Sequence, residues 1–228
     1  GGALLLLGFD TTFYALTALY VFSAIMIYRV RTRHVPIPSG RNMFSDIREG
    51  VGYAWRMPMI RALIFVGSGA LFIGMSQPAI PVKVQDVLNL GEVGYGVILG
   101  LNGVGALIGS VVLFALSKRV RKGYLLMFAL IMLNVATGLF AVAPNVILSG
   151  LAMILMGLAF ASWMISVPVL LQTTASEEMR GRVMSLYFMT VLTHQLGWLI
   201  GGAGIEAFGI QTTLFIGIAG SLTVSAIA

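Results

Sequence analysis

The sequence contains no cysteine and very little charge. Cys is 0 among its 228 residues, and Asp, Glu, Lys and Arg together make up 10%, whereas soluble domains carry about 25% charged residues. Without cysteine, disulfides and cysteine-ligated metal sites are excluded within this sequence. There is also no H-E-x-x-H, no P-loop, no Gly-rich nucleotide motif and no carboxylate pair in an apolar run. The sequence therefore predicts no enzyme, no cofactor and no use of ATP by this chain.

The composition indicates a polytopic all-α membrane protein. Hydrophobic residues make up 58% of the sequence and its mean hydropathy is +0.97. A membrane β-barrel requires short alternating strands, but the apolar runs are long and continuous, which favours helices. The net charge of +6 does not indicate a nucleic-acid partner. Its basic residues lie in short segments between apolar runs, where they orient helices and meet the anionic surface of a lipid bilayer.

Apolar runs predict a series of membrane crossings. The first run follows a tight turn predicted at Gly8–Asp10, and Gly123–Ser176 is long enough for two helices separated by a hairpin at Pro144-Asn145. The sequence begins without Met and ends inside an apolar run, so we interpret it as a fragment of a longer protein. The predicted crossings are Thr11–Tyr28, Ala62–Val82, Val93–Ser117, two within Gly123–Ser176, Val183–Ile205 and a last helix from Thr212.

A basic segment separates the first crossing from the others. Its first part carries two prolines and predicts an exposed linker, and Asn42–Arg56 predicts an interfacial helix that ends before Pro58. We expect Pro78 and Pro81 to kink or end the next crossing. We therefore divide the sequence into three parts. Residues 1–28 are the end of an N-terminal half, 29–58 are a central cytoplasmic linker, and 59–228 are a C-terminal six-helix half.

The distribution of positive charge predicts the orientation of the helices. Alternating crossings put the basic segment, the loop Lys118–Lys122 and the loop Ser176–Arg182 on one side of the membrane. Every Lys and Arg except Lys83 then lies on that side. Positive residues are enriched in cytoplasmic loops, so this side is predicted to be cytoplasmic.

The sequence also contains an internal repeat. GGA at 1–3 returns at 201–203, and GFDTTFY at 8–14 returns as GIQTTLF at 209–215. Six crossings separate the two copies, so both copies face the same side. This pattern is typical of a parallel repeat of two six-helix halves.

Two segments resemble bacterial exporters of the major facilitator superfamily, in the branch that includes enterobactin and macrolide exporters. Residues 47–63, IREGVGYAWRMPMIRAL, resemble the start of the family's seventh helix, and 171–187, LQTTASEEMRGRVMSLY, resemble the loop between its tenth and eleventh helices. The resemblance implies a major facilitator fold covering about helices 6–12. It also implies a small-molecule substrate, an N-terminal half of the same protein as partner, and a multi-pass location in the bacterial inner membrane.

His194 is the histidine within a predicted crossing and the main candidate for a translocation path. An ionisable group inside a membrane is a functional-site hypothesis, and histidine changes charge near neutral pH. Gln195 follows it, and Thr190 shares its helical face together with Tyr187, Gly197 and Gly201. The alternative is a neutral histidine that bonds a neighbouring helix, with the glycines permitting close packing.

Further candidates are polar residues in or beside the crossings. The resemblance implies that helices seven, eight, ten and eleven border the cavity, which favours Gln77 and Asn102 as path residues; the alternative is interhelical hydrogen bonding. Ser166, one turn from Ser162 and ahead of Pro168, could offer a cavity hydroxyl, and the alternative is a bond to a local carbonyl freed near the proline. The charged loops could form a cytoplasmic gate or could serve only to fix the topology. The gate candidates are Glu177, Glu178, Arg180, Arg182, Lys118 and Arg119.

These observations predict a secondary transporter that exports small amphipathic molecules, a drug or a siderophore, by alternating access. Proton antiport is plausible, with its coupling carboxylate in the missing half. The alternatives are an uptake permease or facilitator of the same fold and a non-transporting membrane sensor or assembly protein.

Overall fold

A computed structural model describes residues 9–29, 43–117 and 119–227, and every described element is helical. The helices are α1 (Phe9–Arg29), α2 (Met43–Arg56), α3 (Pro58–Ser68), α4 (Ala70–Gly74), α5 (Ala79–Val82), α6 (Gly91–Leu116), α7 (Lys122–Val142), α8 (Val146–Thr174) and α9 (Glu177–Ile227). A π-helical turn, Lys83–Val87, follows α5.

Helix α9 comprises two crossings. Its 51 residues would extend about 75 Å at 1.5 Å per residue, well beyond the roughly 30 Å of a hydrocarbon layer. Gly209 divides it, with φ of 80° and ψ of 168°, a conformation that is readily available only to glycine. Residues 177–208 and 210–227 therefore form separate crossings, and each predicted crossing corresponds to one helix or, for Ala62–Val82, to the consecutive helices α3, α4 and α5.

One detail differs from the sequence-based expectations. The turn predicted at Gly8–Asp10 is wrong for its last two residues, because α1 already begins at Phe9. Lys83, the basic residue set apart from the others by the predicted orientation, follows α5 and is only 2% exposed. The linker 30–42, the first copy of the GGA repeat and Lys118 lie outside the described residues.

The crossing from Pro58 to Val87 is broken rather than continuous. Pro58 occupies the first turn of α3, where a missing N–H costs little because first-turn donors have no helical acceptor. Residues 75–78 form turns between α4 and α5, and Pro81 lies in the short α5. Each proline removes one backbone donor from the helix ladder, which agrees with the predicted disruption near the far end.

The hairpin between α7 and α8 forms where the sequence predicted it. The Asn145 side chain accepts a hydrogen bond from the Leu148 N–H at 2.9 Å and caps the start of α8. Pro168 lies inside α8 without ending it.

The core lies between the helices from α3 onward. The largest fully buried side chains are those of Trp163, Tyr187, Phe140, Ile60 and Ile98. The most extensive contacts join α6 with α8, α7 with α8, and α9 with α3 and α4. Helix α1 takes no part in these main contacts, and most of its described side chains are exposed.

Helix α2 packs against the start of α9. Arg182 forms a salt bridge with Glu49 at 2.7 Å, and the Ser176 N–H donates to the Tyr53 hydroxyl at 3.2 Å. We call this end of the bundle the basic end. Lys83 lies at the opposite end, where its Nζ donates to the carbonyls of Phe140 and Ala141 at the end of α7.

Candidate functional site

Helices α6 and α8 cross each other with their backbones in contact at three glycines, and we call such a contact between two helices a helix crossing, as distinct from a membrane crossing. A Cβ atom added to Gly105 or Gly109 would overlap the carbonyl of Ile154 or Leu158, and one added to Gly157 would overlap the carbonyl of Asn102. Small residues permit this close approach, which is typical of membrane helix pairs. The two helices are therefore held together at this helix crossing by direct contact between their backbones.

A second helix crossing of the same kind joins α4 to α9. A Cβ atom on Gly197 would overlap the Leu71 carbonyl. The same holds for Gly201 against the Met75 carbonyl, and for Gly74 against the His194 carbonyl.

The two helix crossings are copies of one arrangement. A single offset along the sequence takes Gly105, Gly109 and Asn102 to Gly197, Gly201 and His194, and a second offset takes Ile154, Gly157 and Leu158 to Leu71, Gly74 and Met75. The equivalent helices, α6 with residues 177–208 of α9 and α4 with α8, run in opposite directions across the bundle, because two membrane crossings lie between the members of each pair. The six membrane crossings from Pro58 onward therefore contain an inverted repeat of three helices each.

A polar side chain bridges each helix crossing at the equivalent position. Asn102 Nδ2 donates to the Met153 carbonyl at 3.1 Å, and His194 Nδ1 lies 3.0 Å from the Ala70 carbonyl. A carbonyl oxygen only accepts hydrogen bonds, so Nδ1 of His194 carries the proton. Two of the candidates selected from sequence thus have the same structural position, and each bridges two helices.

Aromatic rings surround His194. Its ring centroid lies 6.3 Å from that of Phe160 on α8 and 6.1 Å from that of Trp198 one turn along α9. The Phe160 ring is in turn 5.8 Å from that of buried Trp163. Sequence reasoning missed Phe160 and Trp198, although the spacing of four residues between His194 and Trp198 was a visible signal.

This aromatic cluster lies on one side of α4. The opposite side, with Phe72, Met75 and Ser76, faces α7 and the last crossing, and a narrow cavity there is lined by Leu133, Asn134 and Gly217. Asn134 also donates to Ser221 at 3.3 Å. Ala70 and Gly74 instead face His194, so the cluster lies away from α7 and residues 210–227.

The other path candidates are dispersed. Gln77 lies in the turns that interrupt the crossing from Pro58 to Val87, and Gln195 is exposed on α9. Ser166 is 6% exposed and borders a cleft of about 350 Å³ between α6, α7 and α8. Thr190 donates to the Tyr187 carbonyl at 2.7 Å.

Thr190 also lines a separate cleft of about 430 Å³ between α2, α3 and α9. Its wall is almost entirely apolar, and the guanidinium of Arg61 lies 5.8 Å from the ring centroid of Trp55. An apolar cleft with one cation is suited to amphipathic molecules.

The gate candidates form local contacts at the basic end. Arg180 Nε donates to the Gln172 carbonyl at 3.0 Å, and Arg182 binds Glu49. Glu177 and Glu178 are exposed in the first turn of α9, where the helix dipole favours negative charge. Arg119 is exposed, between α6 and α7.

Hydrogen bonding with the side chain of Ser176, and then with its backbone N–H, lowers the pKa of Tyr53 below 10.0, because a donor to the phenol oxygen favours its ionised form.

Apolar helices of membrane-spanning length with a three-helix inverted repeat define a polytopic membrane protein of secondary-transporter architecture. The sequence profile of the Major Facilitator Superfamily matches residues 1–202. The chain belongs to this superfamily and is a multi-pass protein of a bacterial membrane. Transporters of this superfamily are not enzymes and bind small-molecule substrates within the membrane.

Curated relatives are multidrug efflux pumps. The chain is 25% identical over 174 residues to the multidrug efflux pump Tap of Mycolicibacterium fortuitum, covering 75% of this chain and 42% of that protein. It is 26% identical over 188 residues to Tap of Mycobacterium tuberculosis (strain ATCC 25618 / H37Rv), covering 80% of this chain and 43% of the relative. The chain thus spans less than half the length of these relatives.

A solved structure confirms the fold. A crystal structure of a mutant of the nucleoside transporter NupG matches with a TM-score of 0.64 at 18% identity, over 99% of this chain and 62% of that one. The all-α major facilitator fold predicted from sequence is confirmed.

Proposed function

We propose that the chain is the C-terminal part of a secondary transporter that exports small amphipathic molecules. The observation that carries the proposal is the pair of equivalent glycine-sealed crossings, each with a polar bridge at mid-length. Export is supported by the efflux relatives, which are 25% and 26% identical to this chain over the aligned residues.

The geometry is suited to a group of helices that moves as a rigid body against the other half of the transporter. Backbone contact at each crossing joins α6 to α8 and α4 to α9, so each pair moves as one body. In our proposal the basic end faces the cytoplasm, and the second half of the same protein completes the path. The path residues are the sequence candidates His194, Gln195, Thr190, Gln77, Asn102 and Ser166.

Coupling to protons requires a titratable group in the path, and His194 is such a group at one of the two helix crossings. Within the described residues, Asp86 and Glu92 lie near the end opposite the basic end, Glu206 lies just before Gly209, and Asp10 lies in the first turn of α1. The other acidic residues, Asp46, Glu49, Glu177 and Glu178, lie in α2 or begin α9. None of these acidic residues lies at a helix crossing. We therefore assign the coupling carboxylate to the N-terminal half.

The test is flux through the full-length transporter in proteoliposomes. An imposed pH gradient should drive ethidium, a fluorescent amphipathic cation, against its own gradient, and the drive should collapse when a protonophore is added. Ethidium that equilibrates without responding to the pH gradient would contradict proton coupling. No flux for ethidium or for a panel of drugs and siderophores would contradict the export proposal.

Uptake is the second candidate, because the fold is shared with a nucleoside transporter and a shared fold leaves direction open. Vesicles with the gradient imposed in each orientation separate the two. Accumulation only in the direction that corresponds to entry into the cell would favour uptake.

A further inference from the structure

The two helix crossings provide an internal comparison, because the inverted repeat pairs each residue of one with a residue of the other. The offset that takes Asn102 to His194 also takes Ala106 to Trp198. The offset that takes Met153 to Ala70 likewise takes Phe160 to Gln77. The helix crossing of α6 with α8 therefore has the Asn102 amide as its bridge, and Gln77 and Ala106 lie at the positions equivalent to Phe160 and Trp198. The helix crossing of α4 with α9 has the His194 imidazole beside the rings of Phe160 and Trp198.

Bridging the helices does not require these aromatic groups. Asn102 makes the equivalent hydrogen bond to Met153 with an amide alone, and glycines seal both crossings in the same way. Packing of the two helices therefore does not account for the imidazole ring or for the aromatic rings of Phe160 and Trp198. Trp198 is also 47% exposed, so much of its large apolar surface is uncovered by the described residues.

The cluster lies on the side of α4 away from α7 and the last crossing, and the family resemblance implies that the membrane crossings formed by α4, α8 and residues 177–208 border the cavity shared with the second half. Phe72 and Ser76 on the other side of α4 are covered by α7 and the last crossing, whereas His194 contacts the carbonyl of Ala70 on the opposite side of α4. Phe160 approaches the same ring from α8. Three of the described helices, α4, α8 and α9, thus converge on this surface.

The chemistry of the cluster defines the ligand it suits. His194 uses Nδ1 for the Ala70 carbonyl, so in the neutral ring Nε2 is left as an acceptor for a ligand N–H or O–H. The rings of Phe160 and Trp198 offer π faces that stack on planar groups and attract cations.

We propose that Phe160, His194 and Trp198 form a binding subsite for a planar aromatic group that carries an N–H or O–H donor. The proposal rests on the proposed transport function and deepens it, since it names the part of an amphipathic substrate that this half of the transporter recognises. The aromatic rings hold the planar group, and Nε2 of His194 accepts its hydrogen bond.

The test is equilibrium binding of ethidium, a planar aromatic cation with amino donors, to the purified full-length transporter, followed by ethidium fluorescence. Phe160→Leu and Trp198→Leu keep apolar bulk and remove the rings, and each should weaken binding about tenfold. His194→Asn keeps an interhelical donor of the Asn102 type and should also weaken binding. Leu199→Ala, at a residue that is 74% exposed, is the matched control and should bind ethidium as the unaltered protein does.

Unfolding temperatures of the same variants separate ligand contact from folding. Weaker binding by the ring variants at an unchanged unfolding temperature supports the subsite. Equal affinity in all four variants, or no ethidium binding to the unaltered protein, overturns it, while flux of other substrates would leave the transport proposal intact. If ethidium binds with the expected pattern but no probe is transported, the transport function fails and the subsite stands.

Discussion

Asn102 and His194 occupy the same position in the two halves of an inverted repeat. Each donates one hydrogen bond across a helix crossing, Asn102 to the Met153 carbonyl at 3.1 Å and His194 to the Ala70 carbonyl at 3.0 Å. The packing alternative raised for His194 therefore has a structural counterpart, because Nδ1 joins two helices. A role in the translocation path stays a prediction, and the rings of Phe160 and Trp198 lie beside the imidazole.

The equivalence predicts which residues can replace His194. His194→Asn should keep the unfolding temperature of the full-length transporter in detergent close to that of the unaltered protein, because the repeat already uses Asn for this bond. His194→Ala should lose about 0.6 kcal/mol, and at most about 1.7 kcal/mol, the range for interhelical hydrogen bonds in membranes. Asn102→Ala should lose a similar amount. A stable alanine variant together with a destabilised asparagine variant would contradict the equivalence.

Glycine positions differ sharply in their tolerance of a methyl group. Gly105→Ala and Gly201→Ala place Cβ against backbone carbonyls, so we expect losses of about 1–3 kcal/mol from overpacking and reduced flux. Gly103 and Gly202 lie close by in sequence but have nothing within 4 Å of an added Cβ. Alanine at these two control positions should be neutral or slightly stabilising. Thermal unfolding and dye flux measure both effects, and equal losses in both pairs would refute the packing of the crossings.

Tyr53 should titrate below the ordinary tyrosine value of 10.0. Hydrogen bonding with the Ser176 side chain, and then with the Ser176 N–H, lowers its pKa, so the folded pKa lies below the unfolded value of 10.0. The extra stabilisation of the docked α2 is therefore present above pH 10 and is lost as the pH falls through the folded pKa. The difference in absorbance at 295 nm between the unaltered protein and Tyr53→Phe should show an ionisation below pH 10. A difference that titrates at or above 10.0 would contradict the hydrogen bond.

The sequence was sufficient for the helices because apolar runs and prolines are local signals. The long apolar runs predicted the crossings, Pro58 predicted the boundary between α2 and α3, and Pro144-Asn145 predicted the hairpin that Asn145 caps. The turn at Gly8–Asp10 was predicted less well, because a turn depends on backbone conformation that the residue types Phe9 and Asp10 do not determine.

The inverted repeat could not be found in the same way. His194 corresponds to Asn102, and Phe160 to Gln77, so the repeat preserves geometry while the side chains diverge. A sequence signal remains in the pentapeptides GALIG at 105–109 and GWLIG at 197–201, but small residues at this spacing are common in membrane helices. The polar candidates were visible as single residues, whereas their pairing across helices required coordinates.

Lys83 should stabilise the end opposite the basic end through backbone carbonyls. Its ammonium donates to the carbonyls of Phe140 and Ala141, the latter at 3.1 Å, and lies 5.0 Å from the centroid of the Phe140 ring. Carbonyls at the end of a helix lack intrahelical partners, and a buried cation there both completes their hydrogen bonds and opposes the helix dipole. Lys83→Met keeps much of the side-chain volume and removes the donors. We expect it to lower stability by about 1.5–3 kcal/mol, the range for hydrogen bonds to charged groups. Lys122→Met, at an exposed residue at the start of α7, is the control and should change stability by less than about 0.5 kcal/mol. The measurement is thermal unfolding of both variants of the full-length transporter in detergent. A Lys83→Met variant that is as stable as Lys122→Met would show that the hydrogen bonds to α7 contribute nothing to the stability of the fold.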